Sequence, residues 1–222
     1  MKIYGDKIYE KQFSVRGWGK YPSEEVIRFF MRSKARLDST NIKALDLGCG
    51  IGACTWFMAK EGAVVTAMDG APSGLKKVKK LANEFGVDDN ITTVNGDITR
   101  PLTFIESTFN IILDSYALYS NKENQTINGY KECFEILEDD GFFLTCCFGK
   151  KTDGFRAGKK ISDNTYTNIK GSLSNGGVQS FFNREQLNNI LIDIGYHIEY
   201  CENIIEDRNG EIIEKHITCL SK

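Results

Sequence analysis

The stretch Asp46-Leu47-Gly48-Cys49-Gly50-Ile51-Gly52 constrains this chain more than any other part of it. It follows Ile42-Lys43-Ala44-Leu45-Asp46-Leu47, which reads as a buried strand. It precedes Ala53 to Glu61, which reads as a helix closed by Gly62. Without Cβ atoms, alternating glycines let the backbone turn tightly and let a ligand lie directly against it. The helix behind them offers unpaired N–H groups and a partial positive charge. A plain strand-to-helix turn needs one such glycine, so Gly48, Gly50 and Gly52 together point to ligand contact.

The same strand-then-helix rhythm continues. Ala63 to Met68 is a second strand ending at Asp69. Ser73 is placed to cap the next helix, with Leu75, Val78, Ala82 and Phe85 on one face and Gly86 at its end. Ile91 to Val94 is a third strand, leading into Asn95-Gly96-Asp97. Phe109 to Leu113 is a fourth, ending at Asp114. Asn121 is placed to cap a helix carrying Ile127, Tyr130, Phe134 and Leu137, and Phe142 to Phe148 is a fifth strand. Asn183 and Gln186 form a capping-box pattern ahead of Leu187, Ile190, Leu191 and Ile194. Two runs, near His197 to Ile205 and Glu211 to Leu220, read as strands joined at Asp207-Arg208-Asn209-Gly210, where Asn-Gly is a hairpin signal.

This alternation predicts an α/β fold: a doubly wound, mostly parallel sheet with an antiparallel C-terminal strand. Residues 1–222 read as one domain. Residues 1–40 form an N-terminal lid and helix segment, the helix starting at Pro22-Ser23-Glu24-Glu25 with Ser23 as N-cap. Residues 149–180, with six glycines and few apolar positions, read as an irregular insertion near an acceptor site.

Bulk properties exclude several classes. The formal net charge is −2, so no global field draws the chain to phosphate backbones, and no nucleic-acid partner is expected. The seven cysteines include no C-x-x-C pair, and the two histidines give no zinc spacing, so no metal is expected. The N-terminus lacks an apolar signal core, and no apolar run approaches the roughly 20 residues of a membrane span. The expectation is a soluble, cytoplasmic protein, monomeric or homodimeric, with free buried thiols.

In doubly wound sheets, ligands bind beyond the carboxyl ends of the strands. The residues there are Gly48 to Gly52, Asp69 with Gly70, Asp97 with Ile98, and Asp114. Gly48-x-Gly50-x-x-Ala53 also satisfies the dinucleotide fingerprint, so the loop alone leaves nicotinamide or flavin open beside S-adenosylmethionine. Asp69 can accept hydrogen bonds from a ribose diol in either ligand. Asp46, just before the glycines, can approach an amino group. Asp97 can accept from an adenine amine while the Ile98 N–H donates to the ring. The last two features favour S-adenosylmethionine.

In this order and at these intervals, the array resembles the class I S-adenosylmethionine-dependent methyltransferase family, in its small-molecule type. Leu45-Asp46-Leu47-Gly48-Cys49-Gly50-Ile51-Gly52 is similar to the family's first motif, and Met68-Asp69-Gly70 to its acidic second-strand end. Asn95-Gly96-Asp97-Ile98 is similar to the adenine-contact motif. Phe109-Asn110-Ile111-Ile112-Leu113-Asp114 resembles the fourth-strand motif, and Leu137-Glu138-Asp139-Asp140-Gly141-Phe142-Phe143-Leu144 the turn into the fifth strand. The resemblance implies a Rossmann-like, seven-stranded sheet with its last strand inserted antiparallel. It implies S-adenosyl-L-methionine as cofactor, with Gly48 and Gly50 lining the methionine part and Asp69 on the ribose. Asp97 and Ile98 would lie on adenine, and Asp114 near the methyl sulfonium. Cys49, Gly70 and Trp18 join the expected cofactor set.

Asp114-Ser115-Tyr116-Ala117 has no proline pair of the kind found in enzymes that methylate amino groups of bases, and no Pro-Cys pair suggests a cytosine nucleophile. The expected reaction is methyl transfer to a small-molecule acceptor at O, N or C, with Asp114, Tyr116 and Tyr119 as catalytic candidates. A nucleotide-dependent oxidoreductase and a non-catalytic methyltransferase-like binding subunit stay open as alternatives. Tyr4, Tyr9, Phe13, Arg16, Trp18 and Tyr21 cluster near the N-terminus, where they either enclose an acceptor or sulfonium charge or simply pack on the domain. Arg156, Lys159 and Lys160 either meet an anionic substrate or sit in a solvated loop.

Overall fold

The computed structural model describes residues 2–4, 7–15, 19–37, 39–102, 108–174 and 176–222. Helices α1 (Lys7–Val15) and α2 (Glu24–Arg36) precede strand β1 (Lys43–Leu47). Then follow α3 (Ala53–Lys60), β2 (Val64–Asp69), α4 (Pro72–Phe85), β3 (Ile91–Asn95), β4 (Phe109–Ser115), α5 (Glu123–Ile136) and β5 (Leu137–Phe148). Short strands β6 (Lys159–Lys160), β7 (Thr165–Thr167) and β8 (Gln179–Ser180) come next. The chain closes with α6 (Arg184–Ile194), β9 (His197–Arg208) and β10 (Glu211–Ser221).

Seven strands form one sheet in the order β3-β2-β1-β4-β5-β10-β9. Neighbours from β3 to β5 pair parallel, and β10 pairs antiparallel with both β5 and β9. The order reverses between β1 and β4, which creates a crevice at the carboxyl ends of those two strands. At the hairpin tip, Asn209 and Gly210 both take positive φ, 57° and 89°, as the two central residues of a type I′ turn require.

Strand alternation divides the core between two faces. Ala44, Ile111, Leu113, Leu144 and Cys146 point to the side covered by Val26, Phe29 and Phe30 of α2 and by Met58 of α3. Leu45, Ile112, Phe143 and Cys147 point to the other, under Tyr130 of α5 and Leu187 and Leu191 of α6. Helices on both faces cover the central strands, so the strand-end loops are where a cavity can open over them.

Four local expectations change. Pro72 takes the first position of α4 and Ala71 the N-cap, so Ser73 lies inside the first turn and its hydroxyl reaches Glu10 of α1 instead. Lys122, not Asn121, is the N-cap of α5; the Asn121 side chain donates to Leu118 O. Ser23 is the N-cap of α2, but its hydroxyl makes no capping bond. Residues 149–180 are not wholly irregular: β6, β7 and β8 make a small antiparallel sheet, with Tyr166, Ile169 and Phe181 packed together beside it. Strands of two or three residues are too short to show an alternating pattern. The Asn183 cap does form, with Gln186 N donating to Asn183 Oδ1 at 2.8 Å. Among the described residues, no helix is long and apolar enough to cross a membrane.

Phe30 is fully buried where α2 meets the sheet. Phe30→Ala is expected to lower the unfolding free energy by about 3–5 kcal/mol in urea denaturation, because the layered packing around it cannot collapse into the space.

Candidate functional site

The loops after β1, β2, β3 and β4 and the end of β5 together line a cavity of about 860 Å³. At β1, the chain turns at once: Gly48 has φ +70°, and a Cβ there would stand 2.3 Å from that of Ala117. Any other residue would drive the β1 and β4 loops apart. Gly48 N and Cys49 N both donate to Met68 O, at 2.8 and 2.9 Å, which fastens this turn to β2.

Asp69 completes that fastening. Its Oδ2 accepts from Gly50 N at 2.8 Å and its Oδ1 from Ala71 N at 2.7 Å. Burial nevertheless pushes its carboxyl up to about 6. Asp46 is also buried, and its Oδ2 accepts from Thr55 Oγ1 of α3 at 2.5 Å. Burial pushes Asp46 up to about 7, with the nearby Asp69 adding to the rise. Asp46, Gly48, Cys49, Gly50, Asp69 and Gly70 all line the cavity, as do Asp97 and Ile98. Asp97 Oδ1 accepts from Thr99 N and Thr99 Oγ1, which holds the β3 loop in a turn.

Asp114 is placed differently from the sequence expectation. It does not line the cavity; its carboxylate is completely buried. Oδ1 accepts from Ala117 N and Leu118 N, both at 2.9 Å, and Oδ2 accepts from Thr145 Oγ1 at 2.7 Å. Burial raises it to about 6. With both oxygens engaged behind the wall, Asp114 shapes the β4 loop and has no free face toward a sulfonium or an acceptor. Tyr116 and Tyr119, carried by that loop, do line the cavity, and so does Phe148 at the end of β5.

The opposite wall is α1, a helix not anticipated from the sequence. Phe13 is buried, and a Cβ on Gly50 would lie 3.3 Å from its ring. Glu10 accepts from Ser73 N at 3.0 Å, so a carboxylate caps the start of α4 from another segment. Tyr4 N donates to Gly70 O at 2.9 Å, and Tyr9 Oη to Gly176 O at 2.8 Å. Tyr4, Tyr9, Phe13 and Tyr21 line the cavity, and Phe13 is packed into the domain. Arg16 and Trp18 lie outside the described residues.

The insertion contributes Ser172, Leu173 and Gly176 to the cavity, and Arg208 reaches it from the tip of the β9–β10 hairpin. Arg156, Lys159 and Lys160 do not line it. His197 and His216 stand apart as well; His216 is buried, with Nε2 3.1 Å from Phe182 O. Sequence reading missed Thr55 and Thr145, which hold the two buried acids, and it missed Phe148 and Arg208. A hydroxyl residue facing a buried acid across the fold leaves no local mark in the sequence.

Helices on both faces, this strand order and a cavity over the β1 and β4 ends define a Rossmann-like methyltransferase fold. Residues 44–141 match the family model described as a methyltransferase domain. Sterol 4-C-methyltransferase strm-1 of Caenorhabditis elegans is 30% identical over 116 residues, 52% of this chain and 34% of that protein. The chain spans less than half the length of the curated relatives it matches. Of solved structures, the CcbJ methyltransferase from Streptomyces caelestis aligns with a TM-score of 0.71 at 15% identity, covering 98% of this chain and 99% of that one. The 1,6-didemethyltoxoflavin-N1-methyltransferase of Burkholderia thailandensis, solved with 1,6-didemethyltoxoflavin and S-adenosylhomocysteine bound, aligns at 0.63 and 18% identity, over 90% and 79% of the two chains. Over this region the chain is similar to S-adenosylmethionine-dependent methyltransferases, and its fold is theirs.

Two predictions follow from the site's geometry. Burial raises the Asp46 carboxyl in the folded chain to about 7 from its ordinary value of 3.8. The folded state therefore binds the extra proton, and stability is lost as pH rises from about 4 to about 7. Asp46→Asn removes that component, so the wild-type fall in unfolding free energy across this range should flatten by about 2–4 kcal/mol in urea titrations. Tyr9→Phe removes the bond from α1 to Gly176, worth about 1 kcal/mol. Amide exchange across residues 7–15 should quicken by about five- to tenfold, read by hydrogen-exchange mass spectrometry.

Proposed function

We propose that this chain transfers the methyl group of S-adenosylmethionine to a small organic molecule held in the cavity. One observation carries the reading. Two buried carboxylates, Asp46 and Asp69, flank a glycine turn at one end of a cavity whose other end is aromatic. The donor set fits the cofactor. A carboxylate before the glycines suits an ammonium group, one at the end of β2 suits ribose hydroxyls, and the narrow turn at Gly48 and Gly50 suits a ligand lying on backbone.

On this reading Asp69 orients the ribose, Asp46 meets the amino group, and Asp97 with the Ile98 N–H meets the adenine. Gly48, Cys49, Gly50 and Gly70 line the path between. When bound, S-adenosylmethionine supplies an electrophilic methyl group on a positively charged sulfur. The chain's own residues then act by holding the acceptor in line with that methyl and by excluding water. Residues 1–40 serve as the cover, through Phe13 and Tyr9, and the 149–180 insertion supplies the facing rim through Leu173 and Gly176.

The names of two similar proteins support a small acceptor, one a sterol and one 1,6-didemethyltoxoflavin. A net charge of −2 disfavours a nucleic-acid partner. Seven free cysteines suit the reducing cytoplasm.

Calorimetry with S-adenosylhomocysteine tests the reading. Micromolar binding to the wild type is expected, weakened at least tenfold by Asp69→Ala, with NAD giving no heat. Tighter binding of NAD would move the chain to redox chemistry instead.

A further inference from the structure

We propose that Tyr4, carried in by the N-terminal segment, supplies the ring on which the adenine base of the cofactor rests, so that the cofactor site is completed from outside its strand-end motifs. This rests on the reading above, that S-adenosylmethionine occupies the cavity with its ribose on Asp69.

The ribose and the base set the place. A ribose on Asp69, and a base whose edge meets Asp97 and the Ile98 N–H, leave that base between the loops after β2 and β3. Contacts to its edge fix how the base points in its own plane, but they give its faces nothing to lie on. The residue after Asp69 is Gly70, which has no side chain to offer. A purine face is well matched by an aromatic ring.

Tyr4 stands where a side chain at position 70 would be. A Cβ on Gly70 would lie 2.6 Å from Tyr4 O and 3.2 Å from Tyr4 Cβ. Gly70 is not among the glycines with positive φ, so its own backbone would admit a side chain; Tyr4 is what excludes one. The Gly70 carbonyl accepts from two directions, from Tyr4 N at 2.9 Å and from Asn95 Nδ2 at 3.4 Å. Asn95 is the last residue of β3, and Gly96, Asp97 and Ile98 follow it. One carbonyl thus ties Tyr4 to both of the loops between which the base lies.

The ring has a face to give. Tyr4 is half-buried and lines the cavity together with Asp69, Gly70, Gly96, Asp97 and Ile98. Lys2 Nζ stands over the Tyr4 ring, 5.2 Å from its centroid. With a cation over one face, the opposite face is the one open to a base. The segment does not depend on that ring for its place. Glu10 accepts from Ser73 N at 3.0 Å and from Ser73 Oγ at 2.9 Å, and the Phe13 ring abuts Gly50. A change of side chain at position 4 therefore alters the ring and leaves the docking in place.

Calorimetry on the wild type, Tyr4→Phe and Tyr4→Leu tests the assignment, with S-adenosylhomocysteine and its base-free counterpart S-ribosylhomocysteine as probes. Both variants keep the backbone bond to Gly70. Tyr4→Phe keeps the ring and should hold S-adenosylhomocysteine within about twofold of the wild type. Tyr4→Leu should bind it about five- to twentyfold more weakly, the loss that one base–aromatic stack implies. S-ribosylhomocysteine, measured by displacement, should bind the wild type and Tyr4→Leu alike. Amide exchange across residues 7–15 should also be unchanged in Tyr4→Leu, which decides the same point where the base-free probe is too weak to displace. Unaltered S-adenosylhomocysteine affinity in Tyr4→Leu, an equal loss for both probes, faster exchange accompanying the loss, or a loss in Tyr4→Phe as large as in Tyr4→Leu would each overturn the proposal. In those cases wild-type binding of S-adenosylhomocysteine leaves the methyltransferase reading standing. If the wild type does not bind it, that reading fails and the role of Tyr4 with it.

Discussion

The carboxylate of Asp69 is the interaction on which the rest of the site depends. One oxygen takes the amide of Gly50, from the loop after β1, and the other takes the amide of Ala71, from the loop before α4. Two loops from neighbouring strands are thereby set at a fixed spacing by one side chain. Burial works against this arrangement, since an ionised carboxylate loses hydration there, and its pKa rises to about 6. The backbone amides counter that cost only in part. The site is therefore held by groups that a stability-optimised core would replace, as expected where binding is the requirement.

Asp114 does at β4 what Asp69 does at β1 and β2. Each gathers two backbone amides and shapes the loop beyond a strand end. The difference is where the spare face of the carboxylate points. Asp69 lines the cavity, while Asp114 faces Thr145 inside the sheet. One chemical device thus yields a residue that lines the cavity in one loop and a purely positioning residue in the other. The positioning residue fixes Tyr116, two residues further along, in its left-handed turn.

That distinction marks the boundary of what the sequence reveals. Strand periodicity, the glycine turn and the helix-ending glycines made the sheet and its helices legible, because each depends on residues adjacent in the chain. That Asp46, Asp69 and Asp97 lie at the cavity was legible for the same reason: each sits at or beside a strand end. The engaged state of Asp114 was not, because its partner Thr145 lies on the neighbouring strand. The α1 helix was hidden too. Its apolar content is low, and it owes its place to Phe13 meeting Gly50 and to Glu10 meeting Ser73, both contacts with distant residues. The short strands of the insertion were hidden by their length alone.

The glycines at positions 48 and 50 serve two masters. They permit a ligand to approach, but their Cβ-free faces are already claimed within the chain, by Ala117 at Gly48 and by Phe13 at Gly50. A glycine-rich motif is therefore not by itself a measure of ligand contact. Here it also allows the β4 loop and the N-terminal helix to close in on the turn from both sides. The glycine turn and the β4 loop share a wall of the cavity for that reason. Ala117 abuts Gly48 and is the residue after Tyr116, so a change at the glycine turn is transmitted to the aromatic wall through a single backbone step. The glycine turn and the aromatic wall of this chain are coupled by packing.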